Sequence, residues 1–308
     1  GVVVDGLVGD APLRPHPVAL FGSAMSGLEG RLWSDATGPG VALAGAGVAL
    51  GVAAGAGLRS RAAATYVSVA GRGLRDAARS VGESLGAGRL DEARTRVTSL
   101  VGRDPSGLDA GELARAVVES LADNTVDAVV APALWAAVAG APGSFAYRAA
   151  NTLDAMVGHR SERYRRFGWA SARLDDVLGY LPARLTALLV ALVRPARAAR
   201  VTEVVRRDAP AHPSPNAGVA EAAFAAALDL RLGGTNTYGG RVEHRALMGD
   251  GRTPVVGDVD RAVRLSRDVT AALVALLAGP WLIDRLVAAG GRVAGAGAAL
   301  PSPEKGVG

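Results

Sequence analysis

Cysteine is absent from all 308 residues, which excludes disulfides, thiolate metal sites and cysteine nucleophiles. Lysine occurs once, at Lys305, so neither a GxxxxGKS/T phosphate loop nor a Schiff-base lysine is available in the body of the chain. Aromatic residues supply only 4%, and any core must be built from small aliphatic side chains. The four histidines, His16, His159, His212 and His244, form no HExxH pair. Zinc-hydrolase and P-loop readings fall away together.

What remains is apolar, at 49% hydrophobic residues and a mean hydropathy of +0.22, on the membrane-like side of globular composition. The longest uncharged run, Ala36 to Leu58, has 23 residues against the roughly 20 needed to cross a bilayer as a helix. Three weaker apolar stretches follow. Ala128 to Tyr147 contains Pro132, Gly140 and Pro142; Val177 to Val193 carries Arg184; Val269 to Ile283 ends at Asp284. The chain begins at Gly1 without an initiator Met, and an apolar segment is expected to precede it. The predicted fold is all-α: a polytopic integral membrane protein with four or five membrane helices and helical loops on the cytoplasmic face, forming a single domain over 1–308.

Polar segments at 59–127, 147–180 and 194–268 separate the apolar ones. In the first, Asp104-Pro105-Ser106-Gly107 reads as a turn, Asp109 as a helix N-cap, and Leu113, Val117, Val118 and Leu121 as an apolar helical stripe. The third holds HPSPNAG at 212–218, an Ala-rich helix from about Val219 to Leu230, and RLGGTNTYGG. Before Pro142 the second apolar stretch has only about 14 residues, a length typical of a buried or re-entrant segment. The polar loops on either side of it should therefore meet on one face. Ten arginines between Arg59 and Arg115 make that face cytoplasmic by the positive-inside rule. Basic residues exceed acidic ones by 34 to 29, but the two signs are interleaved and stacking aromatics are scarce, so no nucleic-acid partner is expected.

Glu112, Glu119, Asp123 and Asp127, spaced by seven, four and four, line one side of a helix beside Asn124. Carboxylates at that pitch repel one another and favour a divalent or cationic partner, unless they form a plain solvated face. A second group comprises Asn151, Thr152 and Asp154, then Arg160, Arg163, Arg165 and Arg166, then Arg173, Asp175 and Asp176, and finally Arg184 inside an apolar run. Such a mixture suits a phosphate-bearing substrate and its metal; a helix cap with a basic membrane-surface cluster is the plainer alternative. Ser214 and Asn216 precede a helix, where free N–H groups form either an anion site or an ordinary cap.

The phrases GDAPLRPHPVALFG, VGRDPSGLD, VVESLADNTVDAVVAP, YRAANTLDAMVGHRSERYRRFGWASARLDDVLGYLPAR and HPSPNAGVAEAAFAAALDLRLGG resemble, in order, the signatures of the adenosylcobinamide-phosphate synthase family, actinobacterial type. The resemblance covers about Asp5 to Val269. It implies a cobalamin-biosynthesis ligase of the plasma membrane, which uses ATP and Mg2+ to join a propionate carboxyl of adenosylcobyric acid, a corrinoid, to (R)-1-amino-2-propanol or its O-phosphate. On that reading Glu119, Asp123, Asp127 and Asp154 are the candidate catalytic residues, with Glu119 and Asp123 holding Mg2+. Arg103, Asp104, Asn124, Asn151, Thr152, Arg173, Asp175, Asp176, Arg184, Ser214 and Asn216 are the candidate substrate contacts. The chain departs from the family's usual pattern at Asp123, where Glu is common, at Ala155 (Ser), His159 (Tyr) and Gly179 (Asn). The lipid bilayer is a further expected partner, and a homo-oligomer is compatible with this reading. A non-catalytic, sensor-type or ligand-binding membrane protein of the same superfamily is the alternative.

Overall fold

The computed structural model describes residues 1–9, 16–58, 60–102, 104–159, 161–238 and 241–296, with the main chain alone at 8, 236–238, 241–243 and 280–296. Short helices α1 (Val2–Val8) and α2 (Pro17–Leu32) lead into α3 (Thr37–Gly57), the uncharged run seen in the sequence. At 21 residues it is long and apolar enough to cross a membrane. One side of α3 is a row of buried glycines, Gly40, Gly47, Gly51 and Gly55. A Cβ at Gly51 would meet the carbonyl oxygen of Phe145 at 2.8 Å, and one at Gly55 that of Ala141 at 2.6 Å. The missing side chains let two backbones pack directly together, as membrane helices do where no hydrophobic drive separates protein from lipid.

The partner in that contact is the longest helical stretch among the described residues. It runs through α7 (Ala110–Thr125), a π-helical turn at Val126–Val130, α8 (Ala131–Leu153) and a second π turn at Asp154–Gly158. A straight helix would separate residues 127 and 151 by about 36 Å. Instead, Asn151 Nδ2 donates to Asp127 Oδ2 at 3.0 Å. The stretch folds back at Ala139 and Gly140, whose dihedrals are non-helical; Gly140 has φ 68°, a value glycine adopts without Cβ strain. Each arm from apex to cluster is therefore about 20 Å long, short of a roughly 30 Å hydrocarbon core. The two polar flanks do meet on one side, as the length argument anticipated. Because Ala141 lies against Gly55 and Leu153 against Gly47, the meeting point is level with the middle of α3. Helix α4 (Arg61–Ser68) returns from the apex alongside the hairpin, and Ala70 N–H donates to Ala128 C=O at 3.0 Å.

The rest forms a scaffold around the first arm. Amphipathic α5 (Gly71–Gly86) and α6 (Leu90–Val97) cover α7, whose start is fixed by a capping box: Asp109 accepts from Glu112 N–H and Glu112 accepts from Asp109 N–H. Helix α9 (Trp169–Val193) packs on α8, with Trp135 Nε1 donating to the Leu178 carbonyl at 3.0 Å. Its opposite side exposes Trp169, Val177, Leu181, Leu188 and Leu192, an apolar stripe on a helix long enough to span. Then come α10 (Ala198–Asp208), α11 (Ala217–Leu228) and α12 (Gly257–Ala296). The main core joins α5, α7, α11 and α12 through side chains such as Val81, Leu121, Phe224 and Leu265.

Two expectations change. Among the described residues three stretches are long and apolar enough to span, Thr37–Gly57, Ala110–Gly158 and Trp169–Val193, rather than four or five. The second is the folded-back hairpin, and Val269–Ile283 falls inside α12, whose N-terminal half is part of the core. RLGGTNTYGG, read as a loop, opens an antiparallel hairpin of β1 (Leu232–Tyr238) and β2 (Arg241–Met248). Gly233 and Gly234 at its bulge have φ 83° and 96°. The all-helical, membrane-type architecture otherwise holds, with this one ribbon added.

Candidate functional site

The fold-back gathers carboxylates from four elements. Asp123 comes from the end of α7, Asp127 from the first π turn, Asp154 from the second, and Asp175 from α9; they lie close enough that their charges act on one another. A π turn shifts helical register by one residue and exposes backbone, and such turns are frequent at functional sites. Here each arm of the hairpin has one, and each carries an aspartate. Tyr147 Oη donates to Asp127 Oδ1 at 2.9 Å, while Asn151 Nδ2 bridges Asp127 Oδ2 at 3.0 Å and Asp175 Oδ1 at 3.3 Å. Arg148 Nη1 reaches the Asp127 carbonyl and Asn151 Oδ1, each at 3.4 Å. Asp123 and Asp154 accept no side-chain hydrogen bond from the described residues. Four carboxylates set this close repel one another, and protons or a cationic ligand relieve the repulsion.

Beside this cluster a cavity of about 160 Å³ opens between α7, α11 and the β ribbon. Asp123 and Asn124 line it together with Glu119, Ser120, His212 and Arg245. Glu119 Oε1 accepts the Gly233 N–H at 2.9 Å and lies 3.4 Å from Arg115, which also bonds the carbonyls of Gly233 and Thr235. Glu119 therefore anchors the ribbon to α7. Burial pushes the His212 imidazole below its ordinary value, and the ring is held by the Ser214 main chain at 3.0 Å. On the far side of Arg148, a larger apolar cavity of about 340 Å³ lies between α2, α3, α4 and α8, with Phe21, Leu50 and Phe145 in its wall.

The other sequence candidates are distributed around this centre. Asn124, which lines the cavity, has its Nδ2 bonded to Ser120 at 2.9 and 3.1 Å. Asn216 ties α11 to α9: its Nδ2 donates to the Asp176 carbonyl at 2.8 Å and its Oδ1 accepts from Arg184 at 3.1 Å. This approach needs Gly179, where a Cβ would meet Asn216 Nδ2 at 2.6 Å. Arg184 also stacks on the Tyr180 ring, 3.5 Å from its centroid. Ser214 Oγ accepts the N–H groups of Asn216 and Ala217, so the donors proposed for an anion are already engaged by the cap. Thr152 donates to the Arg148 carbonyl and borders the apolar cavity. Arg173 is exposed and pairs with Asp176 at 3.4 Å. Asp104, also exposed, accepts the Ser106 N–H, which holds its carboxyl below the usual range. Arg103 lies outside the described residues.

Sequence reasoning missed Tyr147, Arg148, Ser120, His212, Glu221 and Arg245. Arg148 had a readable signal, a lone charge ending an uncharged run. Tyr147, Ser120, His212 and Arg245 reach the site through contacts across 20 or more residues, and Glu221 through His212, nine positions away.

The CobD/Cbib protein family matches residues 1–266. The cobalamin biosynthesis protein CobD of Mycobacterium tuberculosis (strain ATCC 25618 / H37Rv) is 45% identical over 289 residues, covering 90% of this chain and 92% of the relative. That of Rhodobacter capsulatus is 47% identical over 220 residues, 70% of each chain, and that of Geobacter metallireducens 40% over 297 residues, 90% and 93%. No solved structure matches. Matched along nearly all of its helical body, the chain belongs to the CobD/Cbib protein family.

Proposed function

We propose that the chain acts in cobalamin biosynthesis as an ATP-dependent ligase, joining the free carboxyl of adenosylcobyric acid to (R)-1-amino-2-propanol or its O-phosphate. The observation that carries the reading is the convergence of Asp123, Asp127, Asp154 and Asp175 with Arg148 beside a small polar cavity and a larger apolar one. A carboxylate is a poor acyl donor. Transfer of the terminal phosphoryl group of ATP to its oxygen leaves ADP and an acyl phosphate. The amine nitrogen then attacks the acyl carbon, the carbon–oxygen bond to phosphate breaks, inorganic phosphate departs, and the ammonium proton passes to a base.

The chain's residues suit these demands. Arg148, beside Asp127, is the cation this reading assigns to the developing negative charge. Asp154, with no bonded partner among the described residues, is the base this reading assigns to the proton. Among the described residues no three His, Asp or Glu side chains are arranged to cage a metal. Mg2+ is commonly bound by one or two carboxylates plus phosphate oxygens, and Asp127 with Asp175, linked through Asn151, offer such a pair. Glu119, expected to hold the ion with Asp123, is engaged with Gly233 and Arg115. The ion supplies charge neutralisation at the phosphate oxygens.

The test is turnover by protein in detergent or nanodiscs, given adenosylcobyric acid, ATP, Mg2+ and either amine, with the corrinoid amide and ADP read by mass spectrometry. Amide and ADP formed in equal amounts are expected. Folded protein that forms neither with both amines overturns the reading.

A further inference from the structure

The cavity between α7, α11 and the β ribbon has two chemically different walls. On α7, Asp123 has no hydrogen-bonded partner among the described residues. Its neighbour Asn124 commits its Nδ2 to Ser120, so the group left for a ligand is the carbonyl oxygen, another acceptor. Ser120 Oγ in turn donates to the Leu100 carbonyl at 2.6 Å, which leaves its oxygen lone pairs and not its proton. This wall asks for a ligand rich in donors. The facing wall is Arg245 of β2, whose Nη1 lies 3.3 Å from His212 Nε2, with Glu221 3.8 Å from the same nitrogen. It offers a guanidinium to an oxygen.

We propose that this cavity is the seat of the amine substrate: a short primary ammonium received by Asp123 and Asn124, with the oxygen on its neighbouring carbon turned toward Arg245. An ammonium carries three donors and no acceptor, the complement of the α7 wall. Size agrees, since the cavity measures about 160 Å³ and a cavity of about 150 Å³ accommodates a six-atom ring. Asp123 is also the group shared with the carboxylate cluster, where it feels the charges of Asp127 and Asp154. A nitrogen held there stands where the cavity meets the carboxylate cluster. The assignment rests on the ligase reading but is tested apart from it, by binding.

The experiment is calorimetric titration of the full chain in nanodiscs with (R)-1-amino-2-propanol, its O-phosphate and 2-propanol, without ATP or corrinoid, alongside amine KM in turnover. Asp123→Asn should weaken binding of at least one amine 10-fold or more and raise its KM similarly, leaving the KM for ATP in place; 2-propanol should not bind. Arg245→Gln should weaken the phosphate ester more than the free alcohol if the ester is the ligand, and both to a similar small degree if the alcohol is. Asp123→Glu, which keeps the charge, should restore part of the affinity. Amine binding unchanged in both Asp123→Asn and Arg245→Gln overturns the assignment even if the wild type makes amide. If the wild type makes no amide but binds an amine through Asp123, the ligase reading fails and the pocket stands.

Discussion

Asp258 and Asp154 are both acidic side chains drawn into the protein, and their surroundings are opposite. Asp258, 1% exposed, is enclosed by donors: Arg252 at 2.6 and 2.9 Å, Arg261 at 2.6 Å and the Val255 N–H at 2.8 Å. Burial raises its carboxyl, but the bonds from Arg252, Val255 and Arg261 outweigh that, and the net position is below the ordinary range. Asp154 has other carboxylates for neighbours and no donor among the described residues. The first arrangement spends all of its hydrogen-bonding capacity on holding α12 to the turn before it. The second leaves its capacity open. Carboxylates satisfied by the fold keep shape, and those left unsatisfied are what a ligand can use.

Substitutions that separate shape from chemistry test that contrast. The largest effect is expected from Asp154→Ala, which should lower amide formation by about 100-fold or more while melting no lower than the wild type, since it relieves repulsion. A fall in both together, measured by product assay and thermal unfolding in detergent, would break the contrast. Asp258→Asn should do the reverse. Losing the charge-assisted bonds from two half-exposed arginines is expected to cost about 3 kcal/mol of stability, with amine and ATP KM unchanged in the protein that stays folded.

A smaller loss, about 1–3 kcal/mol, is expected for Gly51→Ala, where the added methyl meets the Phe145 carbonyl. Gly45→Ala, on the open side of the same helix with nothing within 4 Å, should be neutral, and equal melting of the two variants would refute the close α3–α8 contact. The smallest effect is in pH. With its folded value depressed, Asp258 contributes stability that is complete above its unfolded value of about 4 and is lost as pH falls through the folded value. Between pH 7 and 5 its contribution to the melting temperature should be flat. A decline there that vanishes in Asp258→Asn would contradict the pairing.

The helical frame was legible because its causes are local. The uncharged run at Ala36–Leu58 became α3, the Asp109–Glu112 cap appeared as a full capping box, and the shortness of the apolar stretch before Pro142 anticipated a segment that turns back. The carboxylate row on α7 was also readable, because spacing by four fixes a helix face. Its continuation was not. Asp127 sits in a π turn, which alters the face, and no residue pattern announced either π turn. The β ribbon escaped because its glycines read equally well as a loop, and its strands are held by Arg115 and Glu119 from 110 or more residues away. His212 and Arg245 joined the site by the same kind of distant contact.

The glycine row of α3 bears on how such a chain is made. Synthesis delivers α3 well before the hairpin that packs against it, so a finished seat is already waiting when residues 126–153 leave the ribosome. Neither arm is long enough to be held by lipid as a stand-alone helix. The pair must enter as one unit onto that seat, and a chain arrested before Asn151 emerges would lack the bond that draws its two halves together.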